Sequence, residues 1–256
     1  MRVRAWRLAA NPSLWQGLAG IAGFFAVWAL ARRIGWLILP GPAEVAAALP
    51  RMVSGPAYWL SWLGSSQRVL AGFAIAAVLA LALGLGMGIS RKFRLTTFPV
   101  LELLRPIPPL AWLPLSILFW PTSEATMTFL TFMGAFFPIF ISVLAGIDRV
   151  DPRYIEAALS LGSSRRAIFR RVLLPGALPY VFTGFAVAIG ITWEVVIAAE
   201  MASATNGLGY LTWNAYVNHS LPGIIIGMLS IGFAGMASSA IVIWLGRRAM
   251  PWQNRM

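Results

Sequence analysis

Long stretches free of charge alternate along this chain with short clusters of arginine. No Asp, Glu, Lys or Arg lies between Arg7 and Arg32, Arg68 and Arg91, Arg105 and Glu124, Glu124 and Asp148, Arg171 and Glu194, or Glu200 and Arg247. A bilayer core of about 30 Å needs roughly 20 apolar residues at 1.5 Å each. The windows therefore predict six transmembrane helices, near residues 13–31, 67–89, 100–120, 124–147, 176–200 and 221–245. The expected fold class is all-α, a polytopic membrane helix bundle.

Composition agrees with the pattern. Of 256 residues, 59% are hydrophobic and 11% charged, against about 25% charged in soluble domains. The absence of cysteine rules out disulfides and thiolate metal sites, and a single histidine, His219, rules out a histidine cluster within one chain. The net charge of +12 raises nucleic acid as a partner, but its distribution argues otherwise. With the N-terminus cytoplasmic, Arg2, Arg4, Arg7, Arg91, Lys92, Arg94, Arg149, Arg153, Arg165, Arg166, Arg170, Arg171, Arg247, Arg248 and Arg255 share one side. Arg32, Arg33, Arg51 and Arg68 fall on the other, and Arg105 lies within a span. This is the positive-inside signature, with both termini cytoplasmic. Arg2, Arg4 and Arg7, the apolar stretch and Ala29-Leu30-Ala31 also have the form of a signal peptide. Cleavage there would leave five spans and split the termini, so the segment is expected to remain as a span.

Local chemistry sets some segments apart. After the first span, Leu39-Pro40-Gly41-Pro42 stops the helix, and the Ala-rich piece with Trp59 and Trp62 is expected along the outer interface. Ala80, Gly84 and Gly88, then Gly184 and Ala188, then Gly223 and Gly227 form small-residue rows, suited to helix packing within the bundle or to a dimer contact. The third span carries Pro106, Pro108, Pro109 and Pro114 within nine residues. Each proline removes an amide donor and clashes one turn back. The freed carbonyls need protein or water, so this span is expected to line a cavity. Arg105, expected at its cytoplasmic end, is either a snorkelling anchor or a contact for an anionic solute. Glu194, inside the fifth span after Trp193, is either a pathway residue or a structural hydrogen-bonding group. Glu200 is expected to be interfacial and to tie down the loop 202–210, and His219 to be exposed.

The most polar insertion is the loop after the fourth span. Asp151 as N-cap and Pro152 at the first position start a short helix. Gly162 permits the positive φ of its C-terminal cap. Ser163 or Ser164 then caps a second short helix to about Leu173, which Pro175 is expected to break. Arg165, Arg166, Arg170 and Arg171 stud this elbow, and Ala157, Ala158 and Gly162 would let it seat deeply in a groove.

The stretch EAALSLGSSRRAIFRRVLLP, residues 156–175, resembles the EAA loop of permeases of ATP-binding-cassette importers. That pattern is E-A-A, three residues, Gly, nine residues, Ile, one residue, Leu-Pro, here with Val172 for Ile. Leu104-Arg105-Pro106-Ile107-Pro108-Pro109-Leu110-Ala111-Trp112-Leu113-Pro114-Leu115, Ala198-Ala199-Glu200-Met201 and Gly207-Leu208-Gly209-Tyr210 resemble segments of the nitrate, sulfonate, taurine and bicarbonate group. Glu194 departs from that pattern, where a small or apolar residue is expected.

The resemblance implies a type I importer permease fold in a bacterial inner membrane. It implies an N-terminal helix and interfacial periplasmic segment over 1–66, and a five-helix core over 67–256 with a coupling loop at 148–175. Glu156, Ala157, Ala158, Gly162, Ser163, Arg165 and Arg166 would couple to a cytoplasmic ATPase subunit. Arg105, Pro106, Pro108, Trp112, Trp193 and Glu194 would line the path. A second copy, a periplasmic solute-binding protein and membrane lipid complete the implied partners, with no nucleic acid. No G-x-x-x-x-G-K-[ST] motif is present, so no cofactor is expected on this chain, ATP and Mg residing on the partner. The expected cargo is a small anion, sulfonate or taurine ahead of nitrate. An ion-gradient-driven carrier and an intramembrane enzyme using Glu194 are the rival readings. The missing internal duplication opposes the first, and the missing metal set and nucleophile–base pair oppose the second.

Overall fold

A computed structural model describes residues 12–35 and 39–252. The described helices are α1 Pro12–Arg33, α2 Pro42–Val53, α3 Pro56–Ile89, α4 Arg91–Leu104, α5 Leu113–Phe119, α6 Ser123–Asp148, α7 Pro152–Ser160, α8 Arg165–Ile168, α9 Leu174–Ser203, α10 Leu208–Val217 and α11 Leu221–Ala249. Arg2, Arg4, Arg7 and Arg255 lie outside the described residues.

Local chemistry places the ends. Pro56 opens α3 behind Gly55, where its missing N–H costs nothing. Ser90 Oγ accepts from Phe93 N at 3.2 Å to start α4, and Thr122 Oγ1 accepts from Ala125 N at 3.2 Å to start α6. His219 sits exposed at positive φ (54°) in the turn between α10 and α11.

Among the described residues four helices are long and apolar enough to cross a membrane: Pro56–Ile89, Ser123–Asp148, Arg165–Ser203 and Leu221–Ala249. A fifth crossing is made if the bent pair Arg91–Leu104 and Pro109–Phe119 is one span. The predicted first span falls on α1, which is not among these, so the described residues supply four candidate spans, or five with the bent pair, of the six expected.

Three boundaries differ from expectation. The second span extends back to Pro56, giving a 34-residue helix, about 51 Å at 1.5 Å per residue and longer than the hydrocarbon core. Trp59 and Trp62 thus ride on the transmembrane helix itself. The third crossing begins at Arg91, not near 100, because Arg91, Lys92 and Arg94 occupy its first turn, where long basic side chains reach out to polar surroundings. Pro175 does not break the chain. Arg165 runs to Ser203 as one 39-residue helix, with a π-helical stretch, Phe169–Leu173, just before Leu174-Pro175. Widening the ladder there accommodates the proline without a break.

The core is α6 wedged between α3 and α9. Phe136 and Phe140 stack in it with ring centroids 5.8 Å apart, among Ala76, Ala80, Met87, Val143, Ala177 and Ala188. The predicted small-residue rows do this packing. A Cβ at Gly84 would meet Val143 at 2.6 Å, one at Gly184 would strike Ser142, and one at Gly227 would strike Thr212. Backbones approach closely where lipid supplies no drive to associate.

The two ends of the bundle are chemically distinct. Arg94 bonds both carboxylate oxygens of Asp148 at 2.7 Å, joining the start of α4 to the end of α6. Arg149 lies 5.3 Å over the Tyr180 ring. This end also carries the elbow α7–α8.

Candidate functional site

The elbow is built as its caps dictate. Asp151 Oδ1 accepts from Arg153 N at 2.9 Å to start α7. At the other end Ser163 N donates to Ala158 O (3.0 Å) and Gly162 N to Leu159 O (2.9 Å). That paired closure is the Schellman motif, and it needs the positive φ of 75° that Gly162 supplies. Of the two candidate serines, Ser164 is the cap of α8, its Oγ accepting from Ala167 N at 3.3 Å.

Glu156, Ala157, Gly162, Arg165 and Arg166 are exposed, while Ala158 and Ser163 are half-buried. The apolar residues beside them are exposed too, Tyr154 at 67% and Leu161 at 85%. A Cβ at Gly162 would meet nothing within 4 Å. The chain thus presents a small-residue, partly apolar knuckle at its most basic end and covers it with nothing of its own among the described residues.

A second feature is the break between α4 and α5. The chain bends by 85° there, through Pro106, Pro108 and Pro109. A cavity of about 410 Å³ opens beside it, lined by Arg105, Ile107, Pro109, α6 residues from Met133 to Ser142, and Val187 and Ile191 of α9. A volume of this size suits a small molecule. The lining from the middle of α6 places Arg105 midway along the bundle, not at the end expected for it. Its Nη1 donates to Glu102 Oε1 at 2.9 Å and both side chains are half-exposed. Pro106 and Pro108 are exposed at the bend.

The remaining pathway residues separate. Trp112 lines another cavity, of about 220 Å³, with Leu115, Ser116, Phe119, Trp120 and Phe129. Trp193 is buried at 4% in the cluster with Val69, Ile189, Val196 and Leu208, its Nε1 donating to Ser238 Oγ at 3.0 Å. Glu194, one residue on, is exposed and has no hydrogen bond or ion pair among the described residues. Thr192 does not hold it, because the Thr192 hydroxyl donates to Ala188 O at 2.7 Å.

Opposite the elbow lies a constellation that sequence reasoning missed. Glu200 is fully buried and Arg68 is 3% exposed. Glu200 accepts from Arg68 Nη1 (2.7 Å), Ser65 Oγ (2.8 and 2.9 Å) and Gly209 N (2.8 Å). Arg68 also donates through Nε to Glu124 Oε2 (2.8 Å), through Nη2 to Glu124 Oε1 and Asn206 Oδ1, and through Nη1 to Asn206 O (2.9 Å). Every donor of the guanidinium fork is thereby used. Ser65 Oγ accepts in turn from Leu208 N at 2.8 Å.

Gly207-Leu208-Gly209 is shaped by this network. Gly207 has φ 121°, and a Cβ there would strike the Glu200 carboxyl group. A Cβ at Gly209 would lie 2.5 Å from Ile197 O. Glycine lets the backbone wrap the carboxylate and donate into it, so Glu200 does tie down the loop after α9. The available signal was positional, since Arg68, Glu124 and Glu200 each bound a charge-free window at the end away from the basic clusters.

The chain matches the family described as "Binding-protein-dependent transport system inner membrane component" over residues 69–253. It is 32% identical over 257 residues to the bicarbonate transport system permease protein CmpB of Synechococcus elongatus, covering 96% of this chain and 92% of that one. It is 33% identical over 242 residues to the nitrate import permease protein NrtB of Synechococcus elongatus, covering 89% and 87%. Against the taurine transport system permease protein TauC of Escherichia coli it is 31% identical over 258 residues, covering 97% and 94%. A chain from the MetNI methionine ABC transporter, solved in inward-facing conformations, superposes with a TM-score of 0.50 at 19% identity, over 73% of this chain and 98% of that one, and so speaks to the fold. The helical bundle, the proline-broken crossing and these relatives converge: the chain belongs to the binding-protein-dependent transport system inner membrane components, and is a multi-pass transport subunit, not an enzyme.

Proposed function

We propose that the chain is the permease subunit of an ATP-driven importer for a small anion, working as a pair of identical copies. The observation that carries this is the elbow α7–α8, an exposed knuckle of small and apolar side chains at the basic end of the bundle. On this reading each copy seats Glu156, Ala157, Ala158, Gly162 and Ser163 in a cytoplasmic ATPase subunit, with Arg165 and Arg166 at the rim. ATP and Mg are bound by that partner and none by this chain. Because α8 runs without a break into α9, closure of the ATPase pair swings a whole transmembrane helix. This supports rigid-body alternating access.

The basic end is cytoplasmic, with both termini on that side of a bacterial inner membrane. A periplasmic binding protein delivers cargo to the opposite end, held in shape by the Arg68–Glu200 network. Residues 67–256 form the working core and 1–66 an accessory helix with its interfacial segment. The matched family region, beginning at residue 69, supports that division. The bicarbonate, nitrate and taurine transport named for the relatives supports an anionic cargo, and the Arg105 cavity supplies a cationic contact for it.

Glu156→Lys and Gly162→Arg, made separately, are expected to abolish ATP-driven uptake of labelled taurine while the chain stays in the membrane at wild-type level. A reversed or bulky charge does not fit the partner's groove. Unchanged uptake with normal ATPase coupling would overturn the reading.

A further inference from the structure

Thr183, Val187, Gly190, Glu194 and Ala198 recur along α9 at spacings that put them on one helix face. Thr183, Val187 and Glu194 are exposed and Gly190 and Ala198 half-buried, whereas Gly184, Ala188, Thr192, Val195 and Val196 behind them are buried. A Cβ at Gly190 would meet nothing within 4 Å. Val187 lies on this face and also lines the Arg105 cavity, as does Ile191, three residues or about 4.5 Å before Glu194 along the axis. The cavity therefore opens onto this face at Val187, about two turns before Glu194.

A carboxylate without a partner is unfavourable against hydrocarbon, and such groups turn to a bundle interior or to water. Glu194 lies about 9 Å along the axis inward from the buried Glu200, well within the crossing. Arg105 is already compensated by Glu102 at 2.9 Å. Glu194 is thus the uncompensated charge on this face among the described residues, and it is negative.

Building on the importer reading, we propose that Glu194 is the contact for a positively charged group on the cargo. The cargo class is then a small molecule bearing an ammonium or amidinium, with any anionic group directed to the Arg105 side, and not a bare inorganic anion.

The chain has no cysteine, so single Ala198→Cys or Gly190→Cys variants report this face cleanly. In the importer complex in native membranes, each is treated with trimethylammonioethyl methanethiosulfonate or sulfonatoethyl methanethiosulfonate, two probes of similar size and opposite charge. Rates are normalised to each reagent's rate with free cysteine. The ammonium probe is expected to react at least tenfold faster, and adding Glu194→Gln to bring the two within twofold. Copurification of the ATPase subunit at wild-type level checks that the variants are assembled. Equal rates, or a preference that survives Glu194→Gln, would overturn the proposal. Failure of both probes to label would show that the face does not meet water and would also overturn it. The importer reading, tested at the elbow, would stand in each of those cases.

Discussion

Glu200→Ala removes the one fully buried carboxylate described here from three donors at once: Arg68, Ser65 and Gly209. Arg68, 3% exposed, keeps Asn206 as a neutral acceptor and, as its one remaining carboxylate, Glu124, which is 63% exposed and therefore screened by water. Removing one member of a buried, hydrogen-bonded pair costs about 3–5 kcal/mol, because the remaining charge stays buried without its buried partner. For a chain of this size each kcal/mol moves the melting point by about 2–4 °C, so the expected drop is roughly 6–20 °C. The assay is thermal melting of the detergent-solubilised protein followed by size-exclusion fluorescence. The double replacement Arg68→Met with Glu200→Leu removes both buried charges and is expected to melt above either Arg68→Met or Glu200→Leu alone. The reasoning is refuted if Glu200→Ala melts within about 2 °C of wild type, less than 1 kcal/mol on this scale. It is equally refuted if the double replacement loses the sum of the two single ones.

Two further outcomes follow from the same geometry. Gly184→Leu drives a side chain into Ser142 and the α6 backbone, and overpacking of this kind costs typically 1–3 kcal/mol or more. Loss of monodisperse protein on size exclusion checks it, with Gly190→Leu, which faces open space, as the tolerant control. Arg105→Gln is expected to weaken uptake of a labelled anion about tenfold, the worth of roughly 1.4 kcal/mol for a hydrogen bond to a charged group. Wild-type affinity for a neutral heterocycle would count against the anionic cargo.

What was legible in the sequence was what one stretch of chain decides by itself. Asp151, Gly162 and the serine pair specify the caps of the elbow through local hydrogen bonds, and the prolines after Arg105 specify a break wherever they sit. Charge-free windows located the apolar spans because a bilayer reads mean polarity over some twenty residues. The same rule misplaced the start of the third crossing, since three basic residues in its first turn look like loop while extending away from the apolar region.

The pairing of Arg68 with Glu124 and Glu200 was invisible for a different reason. Their pairing spans 56 and 132 residues of chain, and no local pattern distinguishes a charge that ends a span in water from one that folds inward. Glu194 and Trp193, adjacent in sequence and about 100° apart around α9, are exposed and buried respectively, which only packing reveals. The π-helical stretch before Pro175 was likewise hidden, because proline alone signals a break and not its repair.

The most direct measurement is stoichiometric copurification from native membranes. Tagged wild-type chain is expected to bring down an ATPase subunit in a one-to-one ratio, and Glu156→Lys to lower that recovery at least tenfold. A chain recovered without any ATPase subunit that still drives uptake from an ion gradient would contradict the account.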